Sequence, residues 1–246
     1  MVRYCVTVEY DGTDFCGYQR QAQDRTVQAE LEAALQRLNK GLPVVSHAAG
    51  RTDSGVHALG QVVAFDLPAW RHDLVTLERA LNAHLPKDVA VREARVVATN
   101  FLPRFAAQGR CYRYQIYPAP QRSPLHHRSA WQVWPPLVLE SMQEATVHLL
   151  GRHDFATFGT PPVAGGHTVR TIYHASWQYL NDLLVFEIAG DAFLYHMVRN
   201  IVGTLCQVGR GELAPAVVAE YLAARKRAVC APPAPPHGLI LWKVLF

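Results

Sequence analysis

Lysine is scarce in this chain of 246 residues, standing only at Lys40, Lys87, Lys226 and Lys243. The cations are therefore mostly arginine, and the formal net charge is +4. A planar guanidinium binds oxyanions through two parallel hydrogen bonds, which suits phosphate contact. A basic excess this modest also occurs in proteins that touch no nucleic acid, so charge alone decides nothing. Cysteine is equally sparse. Cys5, Cys16, Cys111, Cys206 and Cys230 are odd in number and scattered, with no pair at the short spacing of a metal knuckle or redox motif. Their distribution argues against a disulfide scaffold and favours a reducing compartment with no metal, the thiols acting as small apolar side chains. Long apolar runs are missing too. No window approaches ~18 continuous apolar residues, and Met1-Val2-Arg3-Tyr4 passes into alternating sequence without an apolar leader segment. The expectation is a soluble, unexported, cytoplasmic protein with no membrane partner.

What the chain does have is 50% apolar residues, enough to fill one large core or two fused halves. Tyr4, Val6 and Val8 alternate with Cys5, Thr7 and Glu9 up to Asp11-Gly12, a strand ending in a turn. Thr26 can cap a helix whose apolar residues Val27, Leu31, Ala34, Leu35 and Leu38 follow a 3.6-residue period, stopped at Gly41-Leu42-Pro43. Val44 and Val45 start a second strand, Gln61 to Leu67 form a third, Leu74 to Leu85 a helix ending at Pro86, and Val89 to Val97 a fourth strand. The order βαββαβ predicts a ferredoxin-like unit.

The second half repeats that order loosely. Strand Gly109 to Tyr117 is followed by helix Leu137 to Leu150, strands Ile172 to Tyr179 and Leu183 to Ala189, helix Phe193 to Val208, and a closing strand Leu239 to Leu245. One more helix is read from Leu213 to Arg227, and no repeat is visible residue by residue. The expected class is α+β: two ferredoxin-like halves, 1–107 and 108–246, joined into a mixed, largely antiparallel sheet with helices on one face and a central cleft.

Chemistry concentrates in Gly50-Arg51-Thr52-Asp53-Ser54-Gly55-Val56-His57, a tight loop between strands. Arg51 supplies a fixed positive charge that keeps Asp53 ionised. A carboxylate near an anionic polymer needs surrounding cations, which makes Arg51 and a second arginine necessary for a reaction on a nucleotide. Arg199, a charged residue on a mostly apolar helix, is that candidate, with Asp53 as its expected partner. Loop chemistry by itself also allows an Asx-turn at Asp53 and a surface ion pair at Arg51. His57 is left out of the catalytic set, because a lone histidine at a strand start is more often a packing or hydrogen-bonding residue. Tyr112 and Tyr114 share one strand face, with Arg113 on the other. Those tyrosines suit either stacking of an extruded base or ordinary sheet packing.

From about residue 5 to residue 246 the chain resembles the tRNA pseudouridine synthase A family. The resemblance rests on Glu9-Tyr10-Asp11-Gly12, Gly17-Tyr18-Gln19-Arg20, Thr26-Val27-Gln28, the Gly50 to His57 loop, Tyr112-Arg113-Tyr114, His196 to Gly203 and Gly238-Leu239. It implies the pseudouridine synthase fold, with Asp53 as catalytic aspartate, Tyr112 contacting the target uridine, Arg199 pairing with the aspartate and Arg51 displacing the base. It further implies isomerisation of uridine to pseudouridine at positions 38, 39 and 40 of the tRNA anticodon stem-loop by a homodimer that needs neither cofactor nor metal. Three departures stand out: Tyr18 where Trp is usual, Ser54 where Ala is usual, and Leu102-Pro103 where a His-Ala pair is common. Two other classes fit parts of the sequence. A non-catalytic RNA-binding protein shares the sheet aromatics and basic surface. A nucleosidase would need a second carboxylate, which this loop lacks.

Overall fold

The computed structural model describes residues 2–163 and 165–246, and the chain divides into two compact units, Met1–Gln108 with Ile240–Phe246, and Gly109–Leu239. In the first unit, β1 (Arg3–Tyr10) buries Tyr4, Val6, Val8 and Tyr10 on one face, as a two-residue period requires. Its opposite face sets Cys5 into a small cluster with Ala49, Val62 and Val244. Thr26 caps α1 (Val27–Leu38) by accepting from the Ala29 amide at 3.4 Å, and the helix buries Val27, Leu31, Ala34 and Leu35. A short β2 (Ser46–Ala48) follows, then β3 (His57–Asp66). Asp73 caps α2 (Leu74–His84) through the Thr76 amide at 2.7 Å, β4 spans Val89–Val97, and a single turn, α3 (Pro103–Ala106), closes the segment.

β1 lies between β4 and β3, both antiparallel to it, and β2 pairs antiparallel with the far end of β3. This is the 4-1-3-2 order of a ferredoxin-like unit, built from the expected βαββαβ succession. The strand at the C-terminus, Leu239–Leu245, runs parallel to the start of β3, with Ile240 opposite His57 and Leu241 opposite Ala58. Chain order assigns that strand to the second half; its pairing puts it in the first unit from Ile240 onward. At Gly60 the fit is close enough that a Cβ would sit 2.6 Å from the Trp242 carbonyl.

Arg3 and Asp66 face each other across β1 and β3 and pair through two bonds of 2.9 and 2.8 Å. Arg3 also donates to the Phe101 carbonyl at 3.1 Å. Hydrogen bonding to the guanidinium holds the Asp66 carboxyl below its usual range, burial opposing it. A depressed folded-state value gives stability that is present above the unfolded carboxylate value of about 3.9 and lost as pH falls through the folded value. The pair is partly solvated, so its contribution is set at about 1 kcal/mol. Denaturant titrations of wild type and Asp66→Asn are expected to show that gap at neutral pH and to show it closing as the pH falls below the usual carboxylate range. A gap that does not change with pH would refute the assignment.

The second unit opens with β5 (Gly109–Tyr117), to which the two-residue β6 (Trp131–Gln132) adds in parallel. Then come α4 (Leu139–Val147), β7 (Gly151–Asp154), β8 (Val169–Leu180) and β9 (Leu183–Gly190). The order β5-β9-β8-β7 is antiparallel throughout, so β5, β8 and β9 repeat the 1-3-2 arrangement of β1, β2 and β3. The next helix, α5 (Met197–Gly209), starts four residues later than its apolar pattern predicts. Tyr195 donates to the Thr160 carbonyl at 2.9 Å in an isolated bridge, and His196 turns left-handed at φ 62°. Local bridge pairing therefore outcompetes helix propagation there. Once formed, α5 is buried nearly all round. Asn200 donates to the Phe158 carbonyl at 2.6 Å and accepts from Arg227 at 2.8 Å. Helix α6 (Val217–Ala224) is shorter at both ends than expected. Among the described residues no helix is long and apolar enough to cross a membrane.

Candidate active site

Two strand ends and two tight turns hold the loop that carries Asp53. Leaving β2, the chain passes Gly50, whose carbonyl accepts from the Gln61 side chain at 2.9 Å, and exposes Arg51. Thr52 is buried. Its hydroxyl meets the Tyr10 hydroxyl at 2.8 Å, and its carbonyl accepts from the Tyr18 amide at 3.1 Å. Asp53 is half-buried and opens a β-turn closed by the Val56 amide at 3.1 Å, with Gly55 at φ 76°, a value that suits glycine at the third position. Arg51 and Asp53 thus occupy one loop two residues apart.

A second segment, Asp11 to Tyr18, lies against that loop. The Phe15 carbonyl accepts from the Gly55 amide at 3.3 Å and from the Ser54 hydroxyl at 3.1 Å. The hydroxyl that distinguishes Ser54 from the usual alanine is therefore bound to main chain. Gly12 donates its amide to His57 Nδ1 at 3.0 Å, and Asp11 Oδ1 lies 3.2 Å from the same nitrogen. With Gly12 donating, that nitrogen serves as an acceptor, and buried His57 fixes the strand start. Arg25 secures the middle of the segment, its carbonyl accepting from the Cys16 amide at 2.9 Å. It pairs bidentately with Asp88 at 2.7 and 2.9 Å, bonds Glu30 at 2.9 Å, and lies 4.2 Å over the Phe15 ring. None of these contacts was read from the sequence, although Tyr10, Gly12 and Tyr18 all sit in its distinctive motifs.

Tyr112 and Arg199 belong to the second unit. Tyr112 is half-buried, its ring edge-on to Phe193 with centroids 5.0 Å apart. Tyr114, two residues along the same face, is fully buried and donates its hydroxyl to the Pro235 carbonyl at 2.8 Å. Burial pushes the Tyr114 phenol well above its usual range, with Cys206 acting in the same direction and Arg199 opposing. Arg113, on the opposite face, bonds Glu187 at 2.7 Å. Arg199 is half-buried in the first turn of α5. Its Nε donates to the Ala234 carbonyl at 2.8 Å, and its own carbonyl accepts from the Ala234 amide at 3.0 Å. The segment around Ala234 and Pro235 therefore ties Arg199 to the strand of Tyr112. An open groove of about 530 Å³ elsewhere in this unit is lined by His148, Arg152, His153 and Arg225 among others.

Residues 6–105 and 145–246 match the family model described as tRNA pseudouridine synthase. Along its full length the chain is 43% identical to tRNA pseudouridine synthase A of Myxococcus xanthus, covering 92% of that protein. The chain belongs to the tRNA pseudouridine synthase A family. Other members behave alike: that of Halalkalibacterium halodurans is 43% identical over 98% of this chain and 91% of its own. That of Thermosipho melanesiensis is 42% identical over 100% of both. Within the family match lie Arg51, Asp53 and Arg199, while Tyr112 falls in the stretch between the two matched segments. Among solved structures, a Cbf5-Nop10-Gar1 complex overlaps 83% of this chain and 45% of that chain at 12% identity and a TM-score of 0.36, too distant a likeness to bear on the fold.

Proposed function

We propose that this chain isomerises uridine to pseudouridine at positions 38, 39 and 40 of the tRNA anticodon stem-loop, with Asp53 as the catalytic carboxylate. The observation that carries this is end-to-end identity of 42–43% with proteins named tRNA pseudouridine synthase A. The reaction cuts the bond from ribose C1′ to N1, turns the base and joins C1′ to C5. The C5 proton is released and N1 takes one up, so no external reactant is consumed. Asp53 serves by covalent attack on sugar or ring, or as a base toward the ribose. Arg51 and Arg199 stabilise the anionic detached uracil. Arg51 also fills the space left by the extruded nucleotide, whose unstacking costs roughly a few kcal/mol. Tyr112 lines the pocket. Its half-exposed ring supports that role, whereas Tyr114 is consumed by the core.

The enzyme works in this reading as a cytoplasmic homodimer without cofactor or metal. Exposed Arg122, Arg128 and Arg152 supply part of the tRNA path through phosphate contacts. The test is tritium release from unmodified tRNA carrying uridine labelled at C5, with the product mapped by position. Release mapping to positions 38 to 40 is expected. No release from any unmodified tRNA would overturn the proposal, leaving a binding protein if tRNA is still bound, and free uracil would indicate a nucleosidase.

A further inference from the structure

We propose that Tyr10 is a positioning residue for Asp53, acting through its hydroxyl bond to Thr52; this rests on the synthase reading above. Tyr10 and Thr52 are 3% and 7% exposed, and their hydroxyls are 2.8 Å apart. A buried hydroxyl left without a partner is costly, so each holds the other. Tyr10 ends the central strand of the first unit, paired to Ala58 of β3 on one side and to Val89 of β4 on the other. It is therefore a fixed point. Thr52 is held twice, through its side chain by Tyr10 and through its carbonyl by the Tyr18 amide. That immobilised carbonyl and the Cα of Asp53 belong to one planar peptide unit, with no soft backbone dihedral between them, and the turn beyond closes on the Asp53 carbonyl.

Other supports of the loop reach it elsewhere. Gln61 bonds Gly50, and Phe15 holds Ser54 and Gly55. The Tyr10 contact acts on the residue immediately before the carboxylate, where a small rotation is carried directly into the reacting group. Placement to within a fraction of an ångström is worth up to about a hundredfold in rate.

The test compares wild type with Tyr10→Phe, Thr52→Val, the double variant and Thr52→Ser. Each hydroxyl deletion is expected to lower kcat by about 10- to 100-fold with KM for tRNA within about twofold of wild type. The double variant should be no slower than the slower single one, because both remove one bond, and Thr52→Ser should recover most of the rate lost in Thr52→Val. Hydrogen exchange should quicken in the peptide spanning residues 50–57 of Tyr10→Phe and stay unchanged elsewhere in the unit. Unchanged kcat, a loss expressed in KM, or faster exchange across the whole unit would overturn the proposal. Wild type that forms no pseudouridine overturns the synthase reading and this one together. An active wild type matched by Tyr10→Phe overturns this one alone.

Discussion

Asp53→Ala is expected to lower pseudouridine formation by at least about a thousandfold while changing tRNA affinity by less than about threefold. In each route proposed above the carboxylate takes part directly, by attack on the sugar or the ring or as a base toward the ribose, and no other acidic residue stands in the loop between Gly50 and His57 to replace it. The fold should survive. The turn at residue 53 is closed through the Asp53 carbonyl, which the substitution keeps, and the loop is anchored through Thr52, Ser54, Gly55 and His57. Asp53→Asn, which keeps the shape and removes the charge, should be equally inactive. Tritium release, with filter binding of the same tRNA, checks both halves. A variant retaining a tenth of the wild-type rate would end the catalytic assignment, and one that no longer binds would show the carboxylate acting in recognition.

The second large effect is expected at Gly12. A Cβ built there would lie 2.0 Å from the Val56 carbonyl oxygen and 2.5 Å from its carbon. Those atoms are main chain, so no rotamer change can relieve the overlap. Gly12→Ala must push the Asp11 to Tyr18 segment away from the Asp53 loop and break the 3.0 Å bond from the Gly12 amide to His57. The destabilisation is set at about 3 kcal/mol, the upper end for an overpacked core. Activity should fall with it, even under conditions where the variant is folded. Gly50→Ala is the contrast for stability, since a Cβ there meets nothing within 4 Å and the backbone needs no left-handed angle; its unfolding midpoint should stay within about 0.5 kcal/mol of wild type. Equal stability of the two variants would show that the close approach at Gly12 relaxes without cost.

Elements whose signals are local could be read directly. Helix α1 begins where Thr26 caps it, and β4 and β5 have the expected bounds, because a capping side chain, a 3.6-residue period and alternation are properties of neighbours in sequence. Short β6 and β7 and the single turn α3 were not legible, since two to four residues carry too little periodicity to register. The apolar stretch from Phe193 looked helical throughout. Its first four residues are taken by the bridge from Tyr195 to Thr160 and the left-handed His196, an outcome dependent on a partner 35 residues away.

The candidate site divides the same way. The sequence by itself determined the family, the Asp53 loop and its neighbouring arginine, because a tight loop with Gly50 and Gly55 around a charged pair is encoded in consecutive residues. It also put Tyr112 and Tyr114 on one strand face. Tertiary structure alone decided that Tyr114 is sealed in, with its hydroxyl on Pro235 and its ring against Gly238, while Tyr112 stays half-exposed. It alone joined the strand at the C-terminus to β3, and brought Tyr10 to Thr52 across 42 positions of chain. Such contacts follow from which buried polar groups and strand edges find partners once the core closes. That matching depends on three-dimensional proximity, which no short window of sequence contains.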